Sequence, residues 1–152
     1  MEVTSDALAI VGSHDGSVSG YSMIGHLITG DKDGNMKSKI VTAKNHIGKR
    51  TEVMHELLSL VLAVAHSCAV LRLLPIEALS TITRVVFPGD STIVSTFFNP
   101  RVRLTSVLVC NAVFQVKSVA RDIVNICPQA TVHLTWLEGS QNPGDLNSKL
   151  HL

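Results

Sequence analysis

The sequence predicts an α/β domain built on one five-stranded mixed sheet, three antiparallel strands followed by two parallel ones, with helices flanking it. Three features carry that expectation. Apolar runs joined by short, turn-rich links occupy the chain as far as Ala43, apolar spacings of three and four begin after Thr51, and the later strand-like runs are separated by helical stretches. At 152 residues, 45% hydrophobic and 16% charged, the chain suits a single domain, 1–152, around one core.

The first strand is read at Ala7 to His14, ending in Asp15-Gly16-Ser17. Ser19 to Thr29 alternates, with Tyr21, Met23, Gly25 and Leu27 on one face. Gly30-Asp31-Lys32-Asp33-Gly34-Asn35 then supplies a turn before a third strand at Lys37 to Ala43. From Thr51 a helical stripe runs through Val53, Leu57, Leu60, Val61, Val64, Cys68 and Leu71, with Thr51 as its N-cap. Leu74-Pro75 ends it, and Ile76 to Thr83 is a short helical linker. Arg84 to Phe87 reads as a buried strand that delivers Asp90 to its tip, with Ser91 capping a short helix that Asn99-Pro100 stops. Leu104 to Ile126 carries a second long stripe, Leu108, Ala112, Val116, Val119, Ile123 and Ile126. Thr131 to Leu137 is the last strand, 138–143 a loop, and Pro143 opens a terminal helix with Asp145 in its first turn.

A formal net charge of +1 produces no global positive field, so an anionic ligand must be held by local groups or bound metal. Cys68, Cys110 and Cys127 sit in apolar surroundings without metal-ligand spacing and read as reduced core thiols of an intracellular protein. No uninterrupted apolar run approaches the roughly 18 residues needed to span a bilayer, and the N-terminus lacks the regions of a signal peptide. The expectation is a soluble chain without a membrane partner, cut from something longer.

Four acids stand at element ends: Asp15, Glu56, Asp90 and Asp145. Taken singly each has a bland reading, a turn or cap residue for the aspartates and a solvated helix residue for Glu56. If the first and fourth strands are neighbours, their tips lie side by side within reach of a helix turn on either side. Such a cluster repels itself unless cations are present. Oxygen ligands without imidazole or thiolate select magnesium or manganese, and two such ions bridged by carboxylates suit phosphodiester displacement.

Asp15-Gly16-Ser17, Thr51 through Glu56-Leu57, Asp90-Ser91 and Asn142-Pro143-Gly144-Asp145 together resemble the four signatures of the ribonuclease H family, in the family's order. The retroelement branch is similar in more detail. Thr51 to Ala63 resembles the glutamate helix of Bel/Pao-type retrotransposon polyproteins, Asp90 to Val94 their second aspartate motif, and Trp136 to Ser148 their closing pattern. The resemblance covers nearly the whole chain.

It implies a ribonuclease H-like fold and metal-dependent endonuclease action on the RNA strand of an RNA/DNA hybrid during reverse transcription, leaving 5′-phosphate products. Two Mg2+ ions, with Mn2+ as substitute, would be held by Asp15, Glu56, Asp90 and Asp145. One ion would lower the pKa of the attacking water and the other stabilise the leaving 3′-oxyanion. Gly16 and Ser17 backbone groups and Glu56 would meet the 2′-hydroxyl, and Thr51 is a possible contact to a DNA phosphate, a role its capping explains equally well. The resemblance also implies an adjoining reverse transcriptase domain in a polyprotein, a monomeric isolated domain, and a cytoplasmic retroelement particle.

The chain departs from the family where many members carry a histidine before the last aspartate; here Ser140 stands in that loop, with slow turnover as one consequence. His14 borders the acids as a structural strand-end residue, and His55 adjoins Glu56 but points about a hundred degrees away around the helix. Arg101, Arg103, Lys117 and Arg121 are scattered and form no basic protrusion. Two rival readings stay open: a degenerate ribonuclease H-like module that only connects or scaffolds a polymerase, and an integrase-like or resolvase-like DNA nuclease on the same fold.

Overall fold

Turn chemistry sets the first half of the sheet. In the computed structural model, which describes residues 6–136, strand β1 (Ala7–Ser17) returns through Val18-Ser19 into β2 (Gly20–Gly30), and the two pair antiparallel from Ala7↔Thr29 to Ser17↔Gly20. The next turn is organised by Asp31, whose carboxylate accepts the backbone N–H groups of Asp33 and Asn35, both at 2.9 Å. Gly34 there takes φ +80°, a conformation that costs a residue with a Cβ. The chain then enters β3 (Met36–Ile47), antiparallel to β2. β1 runs three residues beyond its expected end, so Asp15 lies within the strand. β3 extends to Ile47 instead of stopping at Ala43; it is exposed along almost all of its length, and so carries no alternation to mark its end.

Helix α1 (Glu52–Leu73) starts as expected at Thr51, whose Oγ1 accepts the Met54 N–H at 3.2 Å. The predicted stripe is half of its packing. Leu57, Leu60, Val64, Cys68 and Leu71 are buried, whereas Val53 and Val61 are only half-buried. A second buried row, His55, Ser59, Ala63 and Ser67, consists of small and polar residues, and contacts of His55, Ser59 and Ser67 with β1 place it against the sheet. Burial on two sides explains why this helix reaches a mean hydropathy of 1.7 over 18 residues, long and apolar enough by composition to cross a membrane.

After a short α2 (Ile76–Leu79), strand β4 (Arg84–Gly89) joins the sheet parallel to β1, and β5 (Thr131–Trp136) joins parallel to β4. The strand order is β3-β2-β1-β4-β5, which is the mixed five-stranded sheet the sequence predicts. Between them lie α3 (Thr92–Thr96) and α4 (Val107–Ile126), which packs on α1. α4 starts three residues later than its apolar pattern because Ser106 caps it, accepting the Val109 N–H at 3.4 Å. Cys68 and Cys127 are buried thiols, but Cys110 is exposed on α4 and is not a core residue.

The β1–β4 ladder is short. It runs from Ala9↔Arg84 to Val11↔Val86, while β4 stays paired with β5 as far as Gly89↔Trp136. Two residues after Val86 comes Pro88, which has no N–H to donate, so the ladder with β1 is not extended there. Asp15 and Asp90 each stand four residues beyond the last β1–β4 pair, where the two strands have ceased to pair. Strand tips of this kind are where open α/β sheets bind ligands.

Candidate metal centre

Three of the four predicted acids meet. One carboxylate oxygen from each of Asp15, Glu56 and Asp90 lies within 4.8 Å of the others. Asp15 is supplied by β1 and is 4% exposed, Glu56 by the first turns of α1, and Asp90 by the residue after β4; the last two are half-buried. Asp145 and the loop and helix expected around it lie outside the described residues.

The approach of α1 to β1 depends on Gly16. A Cβ at that position would meet the Glu56 amide nitrogen and the His55 carbonyl carbon, both backbone atoms of α1. The helix therefore lies directly on the strand one residue after Asp15, and this brings Glu56 to it. Ser91 ties in the third element: its Oγ accepts the Val94 N–H at 3.2 Å to cap α3, and its hydroxyl donates to the Glu56 carboxylate.

The carboxyl of Glu56 is held above the usual carboxylate range. Burial is the main cause, the Ser91 hydrogen bond acts against it, and the charges of Asp90 and Glu52 add to it. A cation would relieve this penalty. The donor set is three carboxylates with no imidazole or thiolate among them, which fits a hard divalent cation.

Ser17 is buried, and its carbonyl already accepts a hydrogen bond from His55 Nδ1 at 2.6 Å. Thr51 is exposed and borders a groove of about 360 Å³, with Lys49, Arg50 and Met54 beside it and Phe97 and Ser106 opposite. Thr51 and Ser106 cap the two long helices, so both positive helix ends open on this groove. Sequence reasoning named Thr51 but passed over Lys49 and Arg50, whose adjacency to the cap was the available signal.

It also set aside both histidines beside the acids, which prove to be buried cross-links. His14 Nδ1 lies 3.0 Å from Ser59 Oγ on α1, and burial pulls this imidazole down to about 4, against a hydrogen bond to the Phe87 backbone that pulls it up. His55 is fully buried, and besides Ser17 it engages the Arg50 N–H, which donates to its Nε2 at 3.2 Å.

No family profile and no curated protein sequence matches this chain. Solved structures do. The N-terminal RNase H domain of a Mycobacterium tuberculosis protein, solved as a fusion with maltose-binding protein, superposes with a TM-score of 0.66 at 13% identity, over 94% of this chain and 92% of that one. RNase H1 of the halophilic archaeon Halobacterium salinarum gives 0.60 at 13% identity over 90% of each chain. LC11-RNase H1, solved in complex with an RNA/DNA hybrid, gives 0.59 at 11% identity over 88% of each. What is shared at these identities is the architecture: this chain has the ribonuclease H-like fold.

Proposed function

We propose that this chain is a metal-dependent endonuclease that hydrolyses the RNA strand of RNA/DNA hybrids, as the ribonuclease H domain of a Bel/Pao-like retrotransposon polyprotein. The observation that carries the reading is the convergence of Asp15, Glu56 and Asp90 within 4.8 Å on this fold. The hybrid bound to LC11-RNase H1 supports the substrate class.

Asp15, Glu56 and Asp90, joined by Asp145, hold two Mg2+ ions, or Mn2+ in their place. Bound there, the ions supply a water nucleophile of lowered pKa and a counter-charge for the leaving oxygen. The protein contributes position. Gly16 sets the separation of strand and helix, Ser91 orients the Glu56 carboxylate, and Glu56 with Gly16 and Ser17 lies beside the substrate 2′-hydroxyl. Thr51, with Lys49 and Arg50 at the mouth of the groove, receives a phosphate of the uncut DNA strand; the paired helix N-termini favour an anion there. The domain is monomeric when isolated and works beside a reverse transcriptase domain in a cytoplasmic particle.

Cleavage of an end-labelled hybrid by wild type and Asp90→Asn, in Mg2+, Mn2+ and chelator, tests this. Metal-dependent RNA cutting lost in Asp90→Asn is expected. A second reading is a ribonuclease H-like scaffold without activity, favoured by the net charge of +1, which gives little grip on a polyanion. A folded wild type that never cuts, even in Mn2+ with excess protein, would select it, and cutting of duplex DNA would select a DNA nuclease.

A further inference from the structure

We propose that His14 and His55 are positioning residues that lock β1 to α1 and thereby fix the separation of Asp15 and Glu56 for cation binding; the inference rests on the reading of those acids as cation ligands. Each histidine immediately precedes one of the two acids, and each crosses to the element that carries the other. His14 leaves β1 for Ser59 of α1, and His55 leaves α1 for the Ser17 carbonyl of β1.

The partners of the two rings differ in kind. Ser59 donates to the Glu56 carbonyl at 2.6 Å, and its oxygen lies 3.0 Å from His14 Nδ1. The Ser17 carbonyl can only accept, so His55 carries its proton on Nδ1, leaving Nε2 as the acceptor of the Arg50 N–H. His55 is thus held in a single tautomer by its two hydrogen bonds. The relay from His14 through Ser59 ends on the carbonyl of Glu56 itself, and the tie from His55 ends one residue past Gly16.

Both rings occupy space cleared for them. A Cβ on Gly48 would meet the His55 ring, and a Cβ on Gly89 would meet the ring of His14. Tyr21 lies against the free side of His55, ring centroids 5.8 Å apart. An apolar side chain would fill the same volume but leave the Ser17 carbonyl and the Arg50 N–H without their partner. That difference separates positioning from packing.

Mn2+ binding to the full chain, followed by the EPR signal of free Mn2+, tests the lock without reference to turnover. His55→Leu is expected to weaken Mn2+ about tenfold or more, the range seen when groups supporting metal ligands are removed. His55→Asn retains a donor where Nδ1 stands and is expected to stay within about threefold of wild type; His55→Gln places its amide at the Nε2 end and should fall between them. Ser59→Ala, which breaks the relay with little loss of volume, should weaken binding severalfold by the same reasoning. Near-UV circular dichroism reports folding. A folded His55→Leu or Ser59→Ala that binds like wild type overturns the proposal, as does His55→Asn binding no better than His55→Gln, a comparison that remains if the leucine variant does not fold. Asp90→Asn separates the two failures: if it too binds like wild type, the acid cluster is not the cation site and both readings fall; if it alone loses Mn2+, only the lock is wrong.

Discussion

Ser91 joins Glu56 to Asp90: its hydroxyl donates to the Glu56 carboxylate while its backbone follows Asp90 directly, and the same oxygen caps α3. Replacing it with alanine removes the interaction that opposes the upward shift of Glu56. The Glu56 carboxyl of metal-free Ser91→Ala should titrate higher than in wild type, as read by carboxyl carbon NMR. Loss of the cap should cost about 1 kcal/mol in urea denaturation.

Gly16→Ala should be among the most damaging small changes available. Its Cβ would collide with backbone atoms of α1, which cannot rotate away, so strand and helix must separate. A loss of about 2–3 kcal/mol is expected, together with loss of Mn2+ binding. Gly34→Ala is the control: it strains a positive φ at about 1 kcal/mol but has nothing within 4 Å of its Cβ, and Mn2+ binding should be unchanged. Equal Mn2+ affinities for the two variants would contradict the close-approach account.

Acid should destabilise the metal-free protein through its buried histidines, with the raised Glu56 carboxyl acting in the opposite sense. His14 is neutral in the fold down to about pH 4, whereas the unfolded chain takes up its proton near 6.5. The unfolded state therefore binds more protons between those values, and stability falls as pH drops through that window, by on the order of 3 kcal/mol in all. His26 and His66 are shifted in the same direction, mainly by burial, and steepen the slope. Urea midpoints from pH 7 to pH 4 should show this fall, and a folded His14→Asn should flatten it.

The three thiols should separate by reactivity. Cys110 is exposed, while burial raises the thiols of Cys68 and Cys127. A short pulse of alkylating reagent on the native chain should label Cys110 alone, and all three should react in urea, as read by mass. Native labelling of Cys68 at the rate of Cys110 would mean that the interior between α1 and α4 opens freely.

Much of this architecture is legible in the sequence because its signals are apolar. The run Val85–Phe87 announces a buried strand, and a strand announces the residue at its tip, so Asp90 is found early. Glu56 is found from its place in the first turns of a capped helix. The row His55, Ser59, Ser67 escapes notice because polar residues are ordinarily assigned to water, and only their burial against β1 reveals that they face inward. β3 was underestimated for the opposite reason, since a strand exposed on both faces has no alternation to end. Cys110 misled because an apolar neighbourhood in sequence is not burial when the residue lies on the outer side of α4.

The ties between β1 and α1 close loops of 45 and 38 residues, and all their members precede β4. During synthesis Asp15 and Glu56 can therefore be brought together while Asp90 is still inside the ribosome. Parallel pairing of β4 with β1 is a non-local step and slow for that reason. The third carboxylate thus arrives after the first two, and the nascent chain completes its cation-binding chemistry only after the scaffold for it has been built.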